Sequence, residues 1–259
     1  MNFKNLLDSK RAIYTFAGVA AFVLLVVLLW PMPRAADPFA DRARFSAAVM
    51  DVIRSNPEIV MEAVQTLQQR QGQAEQAQSK ETVAAARDQL EKDVNSPVGG
   101  NPNGDVTLVE FYDYRCPYCR QAQSVVRDLI KSDANLRFVY KEFPILGPDS
   151  VVAARAAVGA RNSVYYEAFH DALITAPNPL DLDHVLKIAA GVGLNVDALQ
   201  LEMRKPEVDQ ILAANHALAE QIGINGTPAF IVGDNLVPGV VSLQDLQMMV
   251  AAQRARNKG

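Results

Sequence analysis

The residues best suited to chemistry are the only two cysteines of the chain, Cys116 and Cys119, which lie three positions apart in 259 residues. A disulfide between them closes a very short loop, and in the loop-entropy account so short a loop stabilises a fold little. Two thiols are too few for a zinc-type metal site, and Arg120 stands where c-type haem attachment requires histidine. The spacing suits thiol–disulfide exchange, because a thiol one helical turn away can resolve a mixed disulfide formed by the first.

The sequence predicts that Cys116 lies where a strand ends and a helix begins. Val106 to Tyr114 is rich in β-branched and aromatic residues, which is typical of a buried strand, and a helical pattern starts at Pro117. Cys116 then caps the helix and faces unpaired N–H groups at the positive end of the helix dipole. Both effects lower a thiol pKa. We therefore expect Cys116 to be an exposed attacking thiol, with Cys119 behind it as the resolving thiol.

The elements around this junction predict an α/β fold. A second strand at Leu136 to Phe143 makes a strand–helix–strand unit, which is parallel by default. A long helical region runs from Ser150 to about Ile222, and a hairpin with its turn at Asp234-Asn235 follows. A last amphipathic helix ends the chain. The sum is a small mixed sheet with helices on both faces and a helical insertion between its two halves.

The N-terminus predicts a membrane anchor. Residues 1–11 contain Lys4, Lys10 and Arg11, and an uncharged run follows at residues 12–30, close to the roughly 20 residues that span a bilayer. The positive flank is expected to stay in the cytoplasm, which sends the rest of the chain outward. A cleaved signal peptide is the alternative, but its apolar region is usually shorter and ends in a small-x-small site that "PMPRAAD" lacks. In either case the body of the protein is exported.

Residues 39–95 predict a helical stalk or linker, with the catalytic domain at residues 96–259. Apolar residues recur at helical spacing around Phe45 and Val49, and Asn56-Pro57-Glu58 is typical of a new helix start. A helix with one apolar face must bury that face, and self-association is one solution. The alternatives are a spacer or a helix folded back onto the downstream domain. "NSPVGGNPNGD" is expected to end the helix.

Two motifs carry a family resemblance. "FYDYRCPYC", followed later by "GINGTPAFIV", resembles the DsbA-like branch of the thioredoxin superfamily, which has a helical insertion between these motifs. This resemblance covers roughly Val106 to the C-terminus and implies a thioredoxin fold with a cis peptide bond at Thr227-Pro228, packed against the cysteines. In such folds the backbone beside the cis-proline pairs with an extended substrate peptide. "DVIRSNPEIVMEAVQTLQQRQ" resembles the N-terminal segment of ScsC-type proteins, a subgroup linked to copper tolerance, and implies a homo-oligomer such as a trimer.

Further residues near the motif are assigned expected roles. Glu110 lies inside an apolar strand, where a buried carboxylate is costly without a partner, and matches an acid that DsbA-like proteins hold beneath the cysteines. We expect it to move protons to or from Cys119 together with Lys141, the alternative being a carboxylate that points into water. Tyr118 is expected to contact substrate. Arg115 and Arg120 flank the cysteines and are expected to be solvated.

These observations predict an exported thiol–disulfide oxidoreductase that forms, reduces or isomerises disulfides through a redox-active Cys116–Cys119 disulfide. Its expected partners are cysteine-containing exported proteins and a membrane protein that reoxidises or reduces it. No cofactor or resident metal is expected. A net charge of −4 and the absence of a dense basic patch argue against nucleic acid. A Cu(I)-binding copper-tolerance protein is the alternative, since soft thiolates select that ion.

Overall fold

The computed structural model describes residues 22–29 and 38–258 and divides the chain into two compact units, Met1–Gln68 and Gln69–Gly259. In the first unit, residues 22–29 are helical and α1 spans Pro38–Ser55. The predicted anchor at residues 12–30 lies outside the described residues except for 22–29. Within the ranges that are described, no helix combines the length and the apolar character needed to cross a membrane.

The second unit is built on a five-stranded sheet in the order β1-β3-β2-β4-β5. Its strands are β1 Val98–Gly100, β2 Val106–Tyr112, β3 Leu136–Glu142, β4 Ala229–Val232 and β5 Asn235–Pro238. β2 and β3 are parallel, as predicted, while the other three pairs are antiparallel. The edge strand β1 was not predicted, because it lies in the Gly- and Pro-rich stretch that was expected only to end the preceding helix.

Helices lie on both faces of this sheet. The helices after α1 are α2 Glu58–Ala85, α3 Arg87–Glu91, α4 Pro117–Ser132, α5 Pro148–Gly159, α6 Tyr166–Thr175, α7 Leu182–Gly191, α8 Val196–Met203, α9 Pro206–Gln221 and α10 Leu243–Asn257. Helices α5 to α9 lie in sequence between the β2–β3 half and the β4–β5 half of the sheet. The predicted α/β fold class with a helical insertion is therefore confirmed.

Strand alternation separates the hydrophobic core into two layers. Leu108 and Tyr112 of β2 point into the layer that contains both cysteines, together with side chains of α4, α6 and α10. The intervening residues Val109 and Phe111 point to the opposite face. The cysteine pair and its surroundings therefore belong to one face of the central strand.

The opposite face is covered by the end of the predicted stalk. Val83, Ala86 and Leu90 are buried there against Phe111 and Val139. The structure therefore divides the chain at Gln68 rather than at residue 95, because the last part of α2 and all of α3 complete the core of the second unit. The glutamine-rich tract around Gly72 lies within α2 and is helical.

Candidate active site

Cys116 is the N-cap of α4, as the sequence predicts, and Pro117 opens the helix. The Cys116 amide donates to the carbonyl oxygen of Asp113 (3.0 Å), which closes a tight turn after β2. Both cysteines are free thiols. Cys116 is only 4% exposed and Cys119 1% exposed, so the expectation that Cys116 lies open to attack is wrong for this conformation. The neighbouring Tyr118 is 61% exposed and provides accessible surface beside the pair.

The surroundings of Cys116 favour its thiolate. A hydrogen bond from the Cys119 thiol, assisted by the Thr227 side chain and by the backbone N–H groups of Cys119 and Tyr118, lowers the pKa of Cys116 to about 5, although burial opposes the shift. The two backbone N–H groups are the donors that a thiolate at a helix N-terminus is expected to meet. Cys116 is therefore ionised at neutral pH.

The surroundings of Cys119 favour its protonated form. Burial, the hydrogen bond that this thiol gives to Cys116 and the charge of Glu110 all raise the pKa of Cys119 far above its ordinary value. The two cysteines thus differ in protonation state at neutral pH. Cys116 supplies a nucleophile, and Cys119 keeps a proton that must leave before it can react.

The Thr227-Pro228 peptide bond is cis, as the resemblance implies. The Cys116 Sγ lies 3.2 Å from the carbonyl oxygen of Thr227, to which the protonated thiol donates. A cavity of about 370 Å³ adjoins this loop and is lined by Thr227, Pro228, Ile224 and Leu236, among others. Two motifs far apart in the sequence therefore meet at the Cys116 sulfur.

Glu110 lies on the cysteine-facing side of β2 and is almost completely buried. Burial, and secondarily the charge of the Cys116 thiolate, raise the pKa of Glu110 to about 8. The predicted partnership with Lys141 is wrong, because Lys141 is in register with Phe111 and points to the other face of the sheet. There its Nζ lies 2.7 Å from Asp93 Oδ2.

The two arginines beside the cysteines are half-buried and bind backbone carbonyl groups, so they are less solvated than expected. Arg115 Nη1 donates to the Leu146 carbonyl oxygen (2.8 Å). Arg120 Nε donates to the Ile174 carbonyl oxygen (3.1 Å), at the C-terminal end of α6. Arg120 therefore connects α4, the helix that contains Cys119, to α6 of the helical insertion.

A buried polar network that the sequence did not reveal lies next to the site. Glu142 Oε1 accepts hydrogen bonds from the hydroxyls of Tyr112 (2.5 Å) and Tyr114 (3.0 Å). The Tyr112 hydroxyl also lies 3.1 Å from that of Tyr166, and the Tyr114 hydroxyl 3.1 Å from His170 Nδ1. Burial raises the pKa of Glu142 to about 8 and lowers that of His170 to about 3, so both are largely neutral at pH 7. No local pattern could have identified the network, because strand β3 and helix α6 supply its polar centre.

In the described part of the chain, no group of three or more His, Cys, Asp or Glu side chains is placed to hold a metal ion. The cysteine pair remains the only thiol site in the sequence. What the arrangement offers is one stabilised thiolate, one protonated thiol and one buried carboxyl group on the same side of the sheet.

Comparison with known proteins matches two family models to the chain. The DSBA-like thioredoxin domain matches residues 107–251, and the N-terminal domain of the copper resistance protein ScsC matches residues 41–74. A thioredoxin-like oxidoreductase from Silicibacter pomeroyi is 51% identical, with 65% of this chain and 98% of that chain covered and a TM-score of 0.64. A linker-deleted mutant of Proteus mirabilis ScsC is 26% identical, with 86% and 100% covered and a TM-score of 0.65.

Among curated relatives, the chain is 28% identical over 168 residues to the Na(+)/H(+) antiporter NhaA 3 of Salinispora tropica. That match covers 62% of this chain and 26% of the antiporter. The chain thus spans about a quarter of the length of the first curated relatives it matches.

Proposed function

Because the chain belongs to the DSBA-like thioredoxin-domain family, we propose that it is a disulfide oxidoreductase that forms, reduces or isomerises disulfides in exported proteins through Cys116 and Cys119. The observation that carries the proposal is the split between the two thiols, with the pKa of Cys116 lowered to about 5 and that of Cys119 raised. The Cys116 sulfur is ionised at neutral pH, and the Cys119 sulfur beside it keeps its proton.

Reduction of a substrate begins when the Cys116 thiolate attacks one sulfur of a substrate disulfide. An S–S bond forms to Cys116, the substrate S–S bond breaks, and the electron pair leaves on the second substrate sulfur as a thiolate. Cys119 then gives up its proton and attacks Cys116 Sγ. This step releases the first substrate sulfur and leaves the Cys116–Cys119 disulfide. Oxidation of a substrate is the same sequence reversed, and a membrane redox partner resets the pair.

Glu110 is proposed to take the proton of Cys119. While Cys116 is a thiolate, its charge helps to keep Glu110 protonated. In the mixed disulfide that charge is gone, so the pKa of Glu110 falls and the carboxyl group becomes a base when Cys119 must be deprotonated. Substrate is proposed to bind as an extended strand along Thr227 and Pro228, with Tyr118 contacting it from the cysteine side.

Trapping of substrates tests the exchange reaction. We expect the Cys119→Ala variant to accumulate mixed disulfides with exported proteins, because nothing remains to resolve the bond at Cys116, and non-reducing electrophoresis measures them. The matched Cys116→Ala variant keeps Cys119 but should trap nothing and should not refold scrambled ribonuclease. Retained activity in Cys116→Ala would overturn the proposal.

In the same assay, Glu110→Gln is expected to prolong the lifetime of the mixed disulfide about 100-fold, because the variant lacks the general base that takes the proton of Cys119. This factor, about 100-fold, is the lower end of the range for loss of a general base.

The first unit is proposed to hold copies of the chain together. Its α1 exposes Phe45, Val49 and Val52, and the first part of α2 exposes Val64 and Leu67. A helical face of this kind is stabilised when a second apolar face covers it. The match of residues 41–74 to the ScsC N-terminal domain supports a homo-oligomer, as the sequence predicts.

Sedimentation tests this assembly with two chain lengths. A chain that begins at residue 37 is expected to sediment as an oligomer, such as a trimer, because it keeps the exposed apolar residues of α1 and α2. A chain that begins at residue 69 keeps the whole second unit and is expected to sediment as a monomer. Equal monomeric masses for the two chains would contradict the proposal.

A periplasmic location and an inner-membrane anchor are proposed from the sequence. The uncharged run at residues 12–30 follows three positive charges, an arrangement that retains the N-terminus in the cytoplasm. The alternative of signal cleavage gives the same periplasmic location. Protease treatment of spheroplasts distinguishes the anchored form, since it should leave a membrane-bound N-terminal fragment.

A further inference from the structure

Asp113, directly after β2, is a buried acid to which the exchange reaction assigns no role. Its side chain is 1% exposed, although a carboxylate away from water is costly unless it is hydrogen-bonded. One oxygen, Oδ1, accepts from the Arg115 amide (2.7 Å) and the Ser150 hydroxyl (2.7 Å). The other, Oδ2, accepts from the amides of Ile145 (2.8 Å) and Leu146 (2.9 Å). Four donors therefore occupy the roughly four acceptor positions of a carboxylate.

These four donors come from three segments that surround Asp113. Arg115 belongs to the three-residue connection between β2 and Cys116. Ile145 and Leu146 belong to the connection between β3 and α5, and Ser150 lies in the first turn of α5. Arg115 adds a second tie between the first two segments through its bond to the Leu146 carbonyl oxygen. The carboxylate is thus the common anchor of the backbone on one side of the cysteine helix.

Because only three residues connect β2 to Cys116, the hydrogen bonds of Asp113 also affect the position of the Cys116 sulfur. The Asp113 carbonyl oxygen accepts from the Cys116 amide, so the same residue is bonded to the turn through its backbone and its side chain. Tyr112 and Tyr114, on either side of Asp113, are themselves fixed by the buried Glu142. A thiolate gains from helix N–H groups only when it lies within hydrogen-bonding distance of them, and sub-ångström shifts weaken such contacts.

We propose that the Asp113 carboxylate is a positioning group that holds the Cys116 turn against the β3–α5 connection and so keeps the sulfur within reach of its hydrogen-bond donors. It does not touch the reacting atoms. The role rests on the proposed action of Cys116 as the attacking thiolate. Geometry, rather than the negative charge alone, is what Asp113 contributes.

Titration of the reduced full-length protein by the ultraviolet absorbance of its thiolate tests this role. Asp113→Glu keeps the charge but moves the carboxylate by one methylene, so four donors no longer fit. We expect the midpoint of the Cys116 titration to rise by about one pH unit, a tenfold change in the thiolate equilibrium. Ser150→Ala removes one of the four donors without any change of charge, and the midpoint should rise by less. Ser132→Ala is the matched control, because that hydroxyl donates only to Leu129 within α4, and its midpoint should stay at the wild-type value.

The outcomes separate positioning from mere stability. A purely structural role lowers the melting temperature of folded Asp113→Glu without moving the titration midpoint, and that result overturns the proposal. If Asp113→Glu does not fold, Ser150→Ala decides in the same way. A failure of the exchange reaction itself looks different: wild type and Cys116→Ser would then show the same absorbance at every pH, so that Cys116 forms no thiolate at all.

Discussion

Lowering the pH from 7 to 3 should slow alkylation of the reduced protein by iodoacetamide about 100-fold, because only a thiolate attacks and the pKa of Cys116 is about 5. The group is a thiol whose pKa is lowered in the folded protein, so the ionised form is nearly complete at pH 7 and is lost as the pH falls through 5. An unperturbed thiol, with a pKa near 8.5, would instead gain reactivity throughout the range from 7 to 9. The rate should therefore be flat above about pH 6 and fall tenfold per unit below about 5.

Several groups near the sulfur do not disturb this measurement. Glu110, with its pKa raised to about 8, stays mostly protonated through the acidic range, and Cys119 is protonated throughout. Iodoacetamide is uncharged, so its own reactivity does not change with pH. Cys116→Ser should leave almost no alkylation at pH 7, which assigns the signal. A midpoint near 8.5 in the wild-type protein would contradict the arrangement of donors around Cys116.

The same thiolate bears on the direction of electron flow. Stabilising the thiolate stabilises the reduced pair relative to the disulfide, and a pair so stabilised is more oxidising. The hydrogen bonds to Cys116 therefore favour transfer of a disulfide to substrates.

The local elements around the candidate site could be predicted because each depends on a short stretch of sequence. The strand-to-helix junction at Cys116 and the hairpin after Pro228 are visible from alternation, helical spacing and turn residues. The cis peptide bond at Thr227 followed only from the family resemblance, since few X–Pro bonds are cis. A second cis bond, at Asn178-Pro179, belongs to neither of the two motifs that carry the resemblance and was not predicted.

Contacts between distant segments were beyond local patterns. The pairing of Glu110 with Lys141 failed because it depends on strand register, which places Lys141 beside Phe111 on the other face. The strand β1 has three residues, two of them glycine, and exists through its pairing with β3. Asp113 gave the weak signal of an acid beside the cysteine motif, but Ser150, one of its partners, lies 37 positions away.

A chain shortened to begin at residue 97 should fail to fold, because the second unit begins at Gln69 and such a chain lacks its first residues. It lacks Val83, Ala86 and Leu90, which are buried against β2 and β3. It also lacks Asp93, the partner of the buried Lys141 ammonium group. Each large buried side chain contributes about 2–5 kcal/mol, and an unpaired buried charge costs about 3–5 kcal/mol. These losses together approach the whole stability of a domain, about 5–15 kcal/mol.

Circular dichroism and urea unfolding of two shortened chains measure this effect, with the chain that begins at residue 69 as the folded reference. In the full-length protein, Leu90→Ala should lower the free energy of unfolding by about 2–5 kcal/mol, because a fully buried side chain leaves a cavity under the sheet. Val94→Ala is the matched control. That side chain is 92% exposed, so its truncation should change the free energy by less than about 0.5 kcal/mol. Equal unfolding midpoints for the chains that begin at 69 and 97 would mean that residues 69–96 are a detachable linker, and the catalytic core would then begin where the sequence first suggested.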